Sequence, residues 1–346
     1  MLTIDGSYGE GGGQILRTAL SLSCVTGRPV EIFNIRANRK RPGLQPQHLT
    51  VVLACRDISN AEIHGAELNS RSLVFIPQEI KGGEYLLDVE KTAGKGSAGS
   101  VTLILQAVLP PLCLVKSPSR LILKGGTHVP WSPPFHYCNE ILIPFLKRIG
   151  AMIELRLERW GFYPLGKGEA SAYINPTHTF APLHIKERGK LKKISGLSSV
   201  ANLPISIAQR QKDALLNLLR KSGIEPPVEV IEAPSIGKGT FCFIKAEFEN
   251  SMAGFASLGA IGKKAETVGE ETANGFLDFM NSNAAVDLHL ADQIVPYLAM
   301  AEGKSSFTVQ RITRHLLTNI WVVQQFFKRE IEVEGALGES GRITIV

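Results

Sequence analysis

The chain reads as an α/β (α+β) protein: three copies of one helix–strand–helix–strand–strand unit, with a smaller α+β insert between the second and third. Three observations predict this. The same order of apolar patterns recurs three times, at roughly eighty residues per copy, and self-similarity at a fixed period outweighs any single element. At 346 residues the chain exceeds what one core usually supports. Near Ile185 the repeat breaks, the chain turns basic, and about ninety-five residues follow an order of their own, enough for a small domain. Each copy would set helices on one face of a small sheet, so that three copies share a core.

Copy one opens with a short strand, Leu2-Thr3-Ile4, that runs into a glycine loop through Gly13. A helix follows to about Thr26, where Gly27 stops it by taking the left-handed cap conformation. Next come a strand from Val30 to Ile35, a basic loop from Arg36 to Gly43, a helix from about Gln45 to Ser59, and strands around Ala61 to Leu68 and Ser72 to Ile76. Copy two has a helix from Ser97 to Val115, a strand from Arg120 to Leu123, and the loop Gly125-Gly126-Thr127. A helix from Pro134 to Ile149 and strands at Met152 to Glu158 and Glu169 to Ile174 complete it. Copy three has a helix from Asp292 to Ala301, a strand from Ser306 to Val309, a helix opening at Arg314-His315, and strands at Glu330 to Glu334 and Gly341 to Val346. The insert reads as a strand from Ile194 to Val200, a helix from Ile205 to Lys221, three strands from Val228 to Leu258, and a helix from Glu266 to Met280. These patterns divide the chain into residues 1–184 with copies one and two, 185–279 as the insert, and 280–346 with copy three.

Hydrophobic content of 44% and charged content of 20% describe an ordinary globular protein. A net charge of +6 and an isoelectric point of about 9.0 favour a polyanionic partner. The five cysteines, Cys24, Cys55, Cys113, Cys138 and Cys242, form no CxxC pair. They lie mainly in apolar stretches and are expected to be reduced core thiols of a cytoplasmic protein. The N-terminus shows no signal-peptide pattern. The most apolar segment, Val101 to Val115, holds Gln106, Pro110 and Pro111, and is too short and too interrupted to cross a bilayer.

The residues suited to chemistry are spread over all three copies. The glycine loop contains neither GxxxxGK[ST] nor GxGxxG. It still has the makings of an anion site: glycines that let backbone N–H groups approach, a helix N-terminus, and Arg17 one turn in, beside Gln14. Glu10, inside that loop, has no apolar role and is suited to Mg²⁺ or Mn²⁺ carried by a nucleotide triphosphate. The plainer alternative is a tight turn with an exposed acid. The basic loop offers Arg36, Arg39, Lys40 and Arg41, followed by Gln47 and His48. Arginine holds phosphate with two parallel hydrogen bonds, so the loop suits a phosphorylated or nucleic-acid end; the alternative is a solvated charge run. His315 stands in the first turn of its helix, where an imidazole can act as nucleophile beside exposed N–H groups; the alternative, the commoner one for a lone histidine at a helix end, is a structural or surface residue. His48 and His136 occupy similar places in copies one and two, and His136 is assigned to capping or packing. Gln106 is polar within an apolar helix and needs a partner or a ligand. His289-Leu290-Ala291-Asp292-Gln293 suits a ribose or a base edge, or simply caps a helix through Asp292. The stretch Arg159 to Glu169, with its aromatics, glycines and Lys167, is otherwise an ordinary turn between strands.

Six strings carry a resemblance along the whole chain: GEGGGQILR, RPGLQPQHL, SAGS, GFYPLGKGE, HLADQ and HLLTN. In this order they resemble the RNA 3′-terminal phosphate cyclase family. The resemblance implies three βαβαββ-type repeats forming a large domain with a smaller inserted α+β domain. It also implies ATP-dependent conversion of an RNA 3′-phosphate to a 2′,3′-cyclic phosphate through covalent histidine-AMP and RNA-pp-A intermediates. On this likeness His315 matches the nucleophile, and Glu10 a metal position for Mg²⁺ or Mn²⁺. Arg17, Arg36, Arg39, Gln47 and His48 match positions near the phosphates or the RNA end. Gln106, His289, Leu290, Ala291, Asp292 and Gln293 match the ATP pocket. An aromatic ring stacked on adenine is implied at His289, where this chain has the smaller imidazole. Two rival readings are set aside. Non-catalytic, cyclase-like ribosome-assembly proteins lack the nucleophilic histidine, and an enolpyruvyl transferase needs two six-copy halves in a longer chain.

Overall fold

The computed structural model describes residues 1–93 and 97–346. Its first copy is β1 (Leu2–Asp5), α1 (Gly13–Thr26), β2 (Val30–Phe33), α2 (Pro46–Ser59), β3 (Glu62–His64) and β4 (Leu73–Ile76). The sheet order is β1-β2-β4-β3, with β1 and β2 parallel and the other pairs antiparallel. The parallel pair needs a crossover, and α1 supplies it. Gly27, at φ 67°, caps α1 as the sequence predicts.

The second copy is β5 (Glu84–Asp88), α3 (Val89–Ala93), α4 (Val101–Cys113) and β6 (Ser119–Gly125), then a helical run, then β7 (Met152–Arg159) and β8 (Gly168–Asn175). The helical run is α5 (Phe135–Tyr137), a π-helical turn (Cys138–Leu142) and α6 (Ile143–Arg148). The order β5-β6-β8-β7 repeats that of the first sheet. Two details differ from the sequence reading. The strand β5 has no counterpart in it, and the helix expected from Ser97 begins at Val101, where Ser100 accepts a capping bond from Leu103 N–H.

The third sheet takes its first strand from ahead of the insert. β9 (His184–Ile185) pairs in parallel with β14 (Ser305–Val309), 120 residues later in the chain by number. The insert lies between them: β10 (Leu191–Ala201), α7 (Ile205–Arg220), β11 (Val228–Glu232), β12 (Gly239–Phe248), β13 (Met252–Leu258) and α8 (Ala265–Asn281). Its sheet runs β11-β10-β12-β13. The third copy continues with α9 (Leu290–Met300), β14, α10 (Arg314–Phe326), β15 (Ile331–Glu334) and β16 (Gly341–Ile345), and its sheet reads β9-β14-β16-β15. With β9 counted in, all three copies share one βαβαββ order, and the insert follows the first strand of the third.

The helices of the copies meet at the centre. α1 packs on α2, α4 and α10, and α9 packs on α10 and α4. This explains why α1 is buried almost all round: Ile15, Leu16, Ala19, Leu20 and Leu22 are at most 1% exposed, and Thr18, Ser21 and Ser23 are buried with them. Each buried Leu or Ile here contributes about 1.5–3 kcal/mol by leaving water. All five cysteines are buried and free of disulfides. No described helix is long and apolar enough to cross a membrane.

Candidate active site

The central helix packing brings together residues from the two ends of the chain. Thr313 caps α10 by accepting from Leu316 N–H, which fixes the first turn and the place of His315. The His315 ring is half exposed. Its Nδ1 lies 2.9 Å from Gln14 Oε1, and its Nε2 lies 2.8 Å from Glu10 Oε2. Gln14 Nε2 donates to Asp292 Oδ2 at 3.1 Å, which orients the amide so that its oxygen faces the ring. Thr18 Oγ1 donates to Asn319 Oδ1 at 2.7 Å, and Asn319 donates to the Asp292 carbonyl. Three helices, α1, α9 and α10, are thereby tied by side-chain hydrogen bonds around one imidazole.

Charge surrounds it. Arg39 Nη2 stands 3.3 Å from Glu10 Oε2. Burial pushes the Arg17 guanidinium down to about 10, against the pull of Asp292. The same burial raises the Asp292 carboxyl to about 7, and Arg17 opposes this. Desolvation holds the His315 imidazole below its ordinary value; Glu10 pulls it up, and Arg17, Arg39 and His289 push it down. His48 is buried and held neutral by desolvation and by Arg36 and Arg17, and its Nδ1 has no partner.

The glycine loop is a cradle that side chains would fill. A Cβ on Gly11 would strike Asn38, one on Gly12 the Arg39 guanidinium, and one on Gly13 the His48 ring. Beyond Gln14 and Arg17 a small cavity of about 40 Å³ lies between α1, α4 and α9. Its polar mouth holds Gln106, Asp292 and Gln293, and Pro110, Leu142 and Pro296 line its apolar part.

Not every residue singled out in the sequence joins this cluster. Gln106 Nε2 donates to Gln293 Oε1 at 2.8 Å, and Gln293 donates to the His289 carbonyl at 2.6 Å. Leu290 and Ala291, expected in the nucleotide pocket, are fully buried in the core, because their positions on α9 turn inward. Arg36 braces its own loop by donating to the carbonyls of Arg41 and Gly43 at 2.6 and 2.9 Å. Gln47 accepts from Ser100 N–H at 2.8 Å and so pins the loop ahead of α4. His136 lies in a different cluster, with its Nδ1 2.8 Å from His128 Nε2. The sequence names Gln14 only as a neighbour of Arg17 and gives no role to Asn319; their side-chain bonds across the chain reveal their place. Among the described residues no group of three or more His, Cys, Asp or Glu surrounds a cation position.

Three βαβαββ copies that meet around a glycine loop, two arginines and an accessible imidazole define the class of protein to which the chain belongs. The chain belongs to the RNA 3′-terminal phosphate cyclase family, whose sequence model matches residues 8–333. The RNA 3′-terminal phosphate cyclase of Pyrococcus furiosus is 44% identical over 346 residues, covering 100% of this chain and 99% of its own. That of Methylococcus capsulatus is 46% identical over 349 aligned residues, 100% of this chain and 96% of its own. That of Gloeothece citriformis is 42% identical, over 96% and 95% of the two chains.

Proposed function

We propose that this enzyme converts an RNA 3′-terminal phosphate to a 2′,3′-cyclic phosphate at the expense of ATP, with His315 carrying AMP between the two substrates. The observation that carries this is the double engagement of the His315 ring, Nδ1 by Gln14 and Nε2 by Glu10. Gln14 Oε1 accepts, so the proton sits on Nδ1. The 2.8 Å contact to Glu10 holds a second proton on Nε2; when the Glu10 carboxylate takes that proton and turns aside, Nε2 is left with a free lone pair facing the cradle.

In the first step Nε2 attacks the α-phosphorus of ATP, the bond to pyrophosphate breaks, and AMP is held through a P–N bond. An oxygen of the RNA 3′-phosphate then attacks that phosphorus and releases the imidazole, giving RNA-pp-A. Finally the adjacent 2′-hydroxyl attacks the terminal RNA phosphorus, loses its proton and expels AMP, closing the ring. Arg17 and Arg39 supply fixed positive charge for the phosphate oxygens. The cleft at Gln106, Asp292 and Gln293 receives the nucleoside of ATP, with His289, whose carbonyl accepts from Gln293, beside it.

The metal expected with ATP is Mg²⁺ or Mn²⁺, and Glu10 is the residue that would hold it. A single carboxylate fits an ion whose other ligands are phosphate oxygens and water. When bound, such an ion supplies positive charge to the non-bridging oxygens. The substrate partner is RNA bearing a 3′-phosphate.

The test uses ATP labelled at the α-phosphate and no RNA. The protein should take up label through a bond that acid cleaves and alkali spares, and His315→Ala should abolish both labelling and cyclisation. An unlabelled wild-type protein would overturn the mechanism, and a labelled His315→Ala protein would move the nucleophile elsewhere.

A further inference from the structure

The glycine loop runs alongside α10 in the opposite direction, one loop residue to each helical turn. Glu10 meets His315. Gly9, at φ 56°, passes so close to Thr318 that a Cβ there would strike its hydroxyl. Tyr8 stacks on Trp321, with ring centroids 4.0 Å apart and planes 14° from parallel. Trp321 packs against the main core on its inner side, which fixes the stack in place. Tyr8 nevertheless remains 46% exposed, an aromatic ring with one face covered and the other open to water.

The position of this shelf gives it a use. Six residues of α10, about 9 Å along the axis, separate it from His315. One nucleotide spans that interval from its 3′-phosphate to its base. The basic loop flanks the same stretch: Asn38 Nδ2 donates to the Ser7 carbonyl at 3.0 Å, and Arg39 lies beside Glu10. The cavity mouth at Gln106 and Gln293 is built by α4 and α9, not by this loop. We propose that the open face of Tyr8 stacks on the base of the 3′-terminal nucleotide of the RNA, while Arg39 holds its phosphate beside His315. This deepens the cyclase reading and rests on it. Stacking accepts every base, since each has a π face, so the shelf would position RNA ends of any sequence.

The test compares Tyr8→Ala and Tyr8→Phe with the wild type in two assays: labelling by ATP alone, and cyclisation of short RNA 3′-phosphates whose terminal base is present or replaced by an abasic residue. For Tyr8→Ala the half-saturating RNA concentration should rise about tenfold more than any change in labelling, the size one stacked base provides. Tyr8→Phe should restore it. The abasic end should weaken binding to the wild type by the same factor and make no further difference to Tyr8→Ala. Equal losses in both assays overturn the shelf, as does an abasic end that the wild type binds as well as the natural one; the latter comparison needs no variant to fold. Failure of the wild type to label with ATP would instead overturn the underlying mechanism.

Discussion

At His315 two opposite electrostatic influences meet. Desolvation, Arg17, Arg39 and His289 disfavour the imidazolium, and Glu10 favours it; the net result is a value below the ordinary 6.5. Attack through Nε2 needs the neutral ring. Protonation of a ring with a depressed value sets in only as the pH falls below 6.5, so labelling by ATP should be flat above that and decline beneath it. Arg39→Ala removes one positive neighbour and should move the start of the decline to higher pH, measured as labelling rate against pH. A decline unchanged in position would remove Arg39 from the electrostatics of the ring. The sequence marks His315, Glu10 and Arg39 only weakly as single residues and puts them forward through the order of the six strings; the fold brings the three together. The Gln14–Asp292 link is not legible there, because its partners lie 278 residues apart and no local pattern joins them.

The second helix of each copy opens with a histidine in or near its first turn, and the surroundings give the three rings different characters. His315 is half exposed beside a carboxylate. His48 is buried beside two arginines. His136 is enclosed by Trp160, Phe241 and His128, and burial lowers its value to about 4. His128, stacked on Trp160 at 4.1 Å, is likewise pushed well down by burial and by His136. Unfolding returns both rings to ordinary values near 6.5, so below that pH the unfolded chain binds protons that the folded one refuses. Stability is therefore full above about 6.5 and lost as the pH falls towards 4, by an amount on the order of 3 kcal/mol from His136 alone. The melting temperature should drop across this window, and less steeply in His136→Gln, which removes one of the two groups; parallel curves would show that the drop comes from elsewhere. Elements of this length, with long apolar periodicity, were readable from the chain. β5 and β9 were not: one buries only Leu87 fully and the other has two residues, too little alternation to register.

On the scale of the whole molecule the insert has its own strand order and its own core, yet it lends side chains to the core of the repeats. α7 and α8 cover one face of its sheet around Leu215, Ile244, Phe276 and Phe279. Phe241 and Phe243, on β12, belong instead to the core of the three repeats. Phe241 meets Trp160 edge-on at 5.9 Å, and Gly239 passes Phe162 so closely that a Cβ would overlap the ring. The basic start and the new strand order mark the insert in the sequence, but which of its alternating side chains face outward to the repeats is set only by how the two sheets meet. Because the centre of that junction is buried and aromatic, the two parts should unfold together. Far-UV circular dichroism and tryptophan fluorescence should report one coincident urea transition, the fluorescence drawing on Trp160 at the junction. Phe241→Ala should lower the midpoint seen by both probes together, with a loss of about 3–5 kcal/mol for an aromatic side chain removed from a closed site. Two transitions in the wild type, or a Phe241→Ala effect confined to one of them, would mean that the junction packs without coupling.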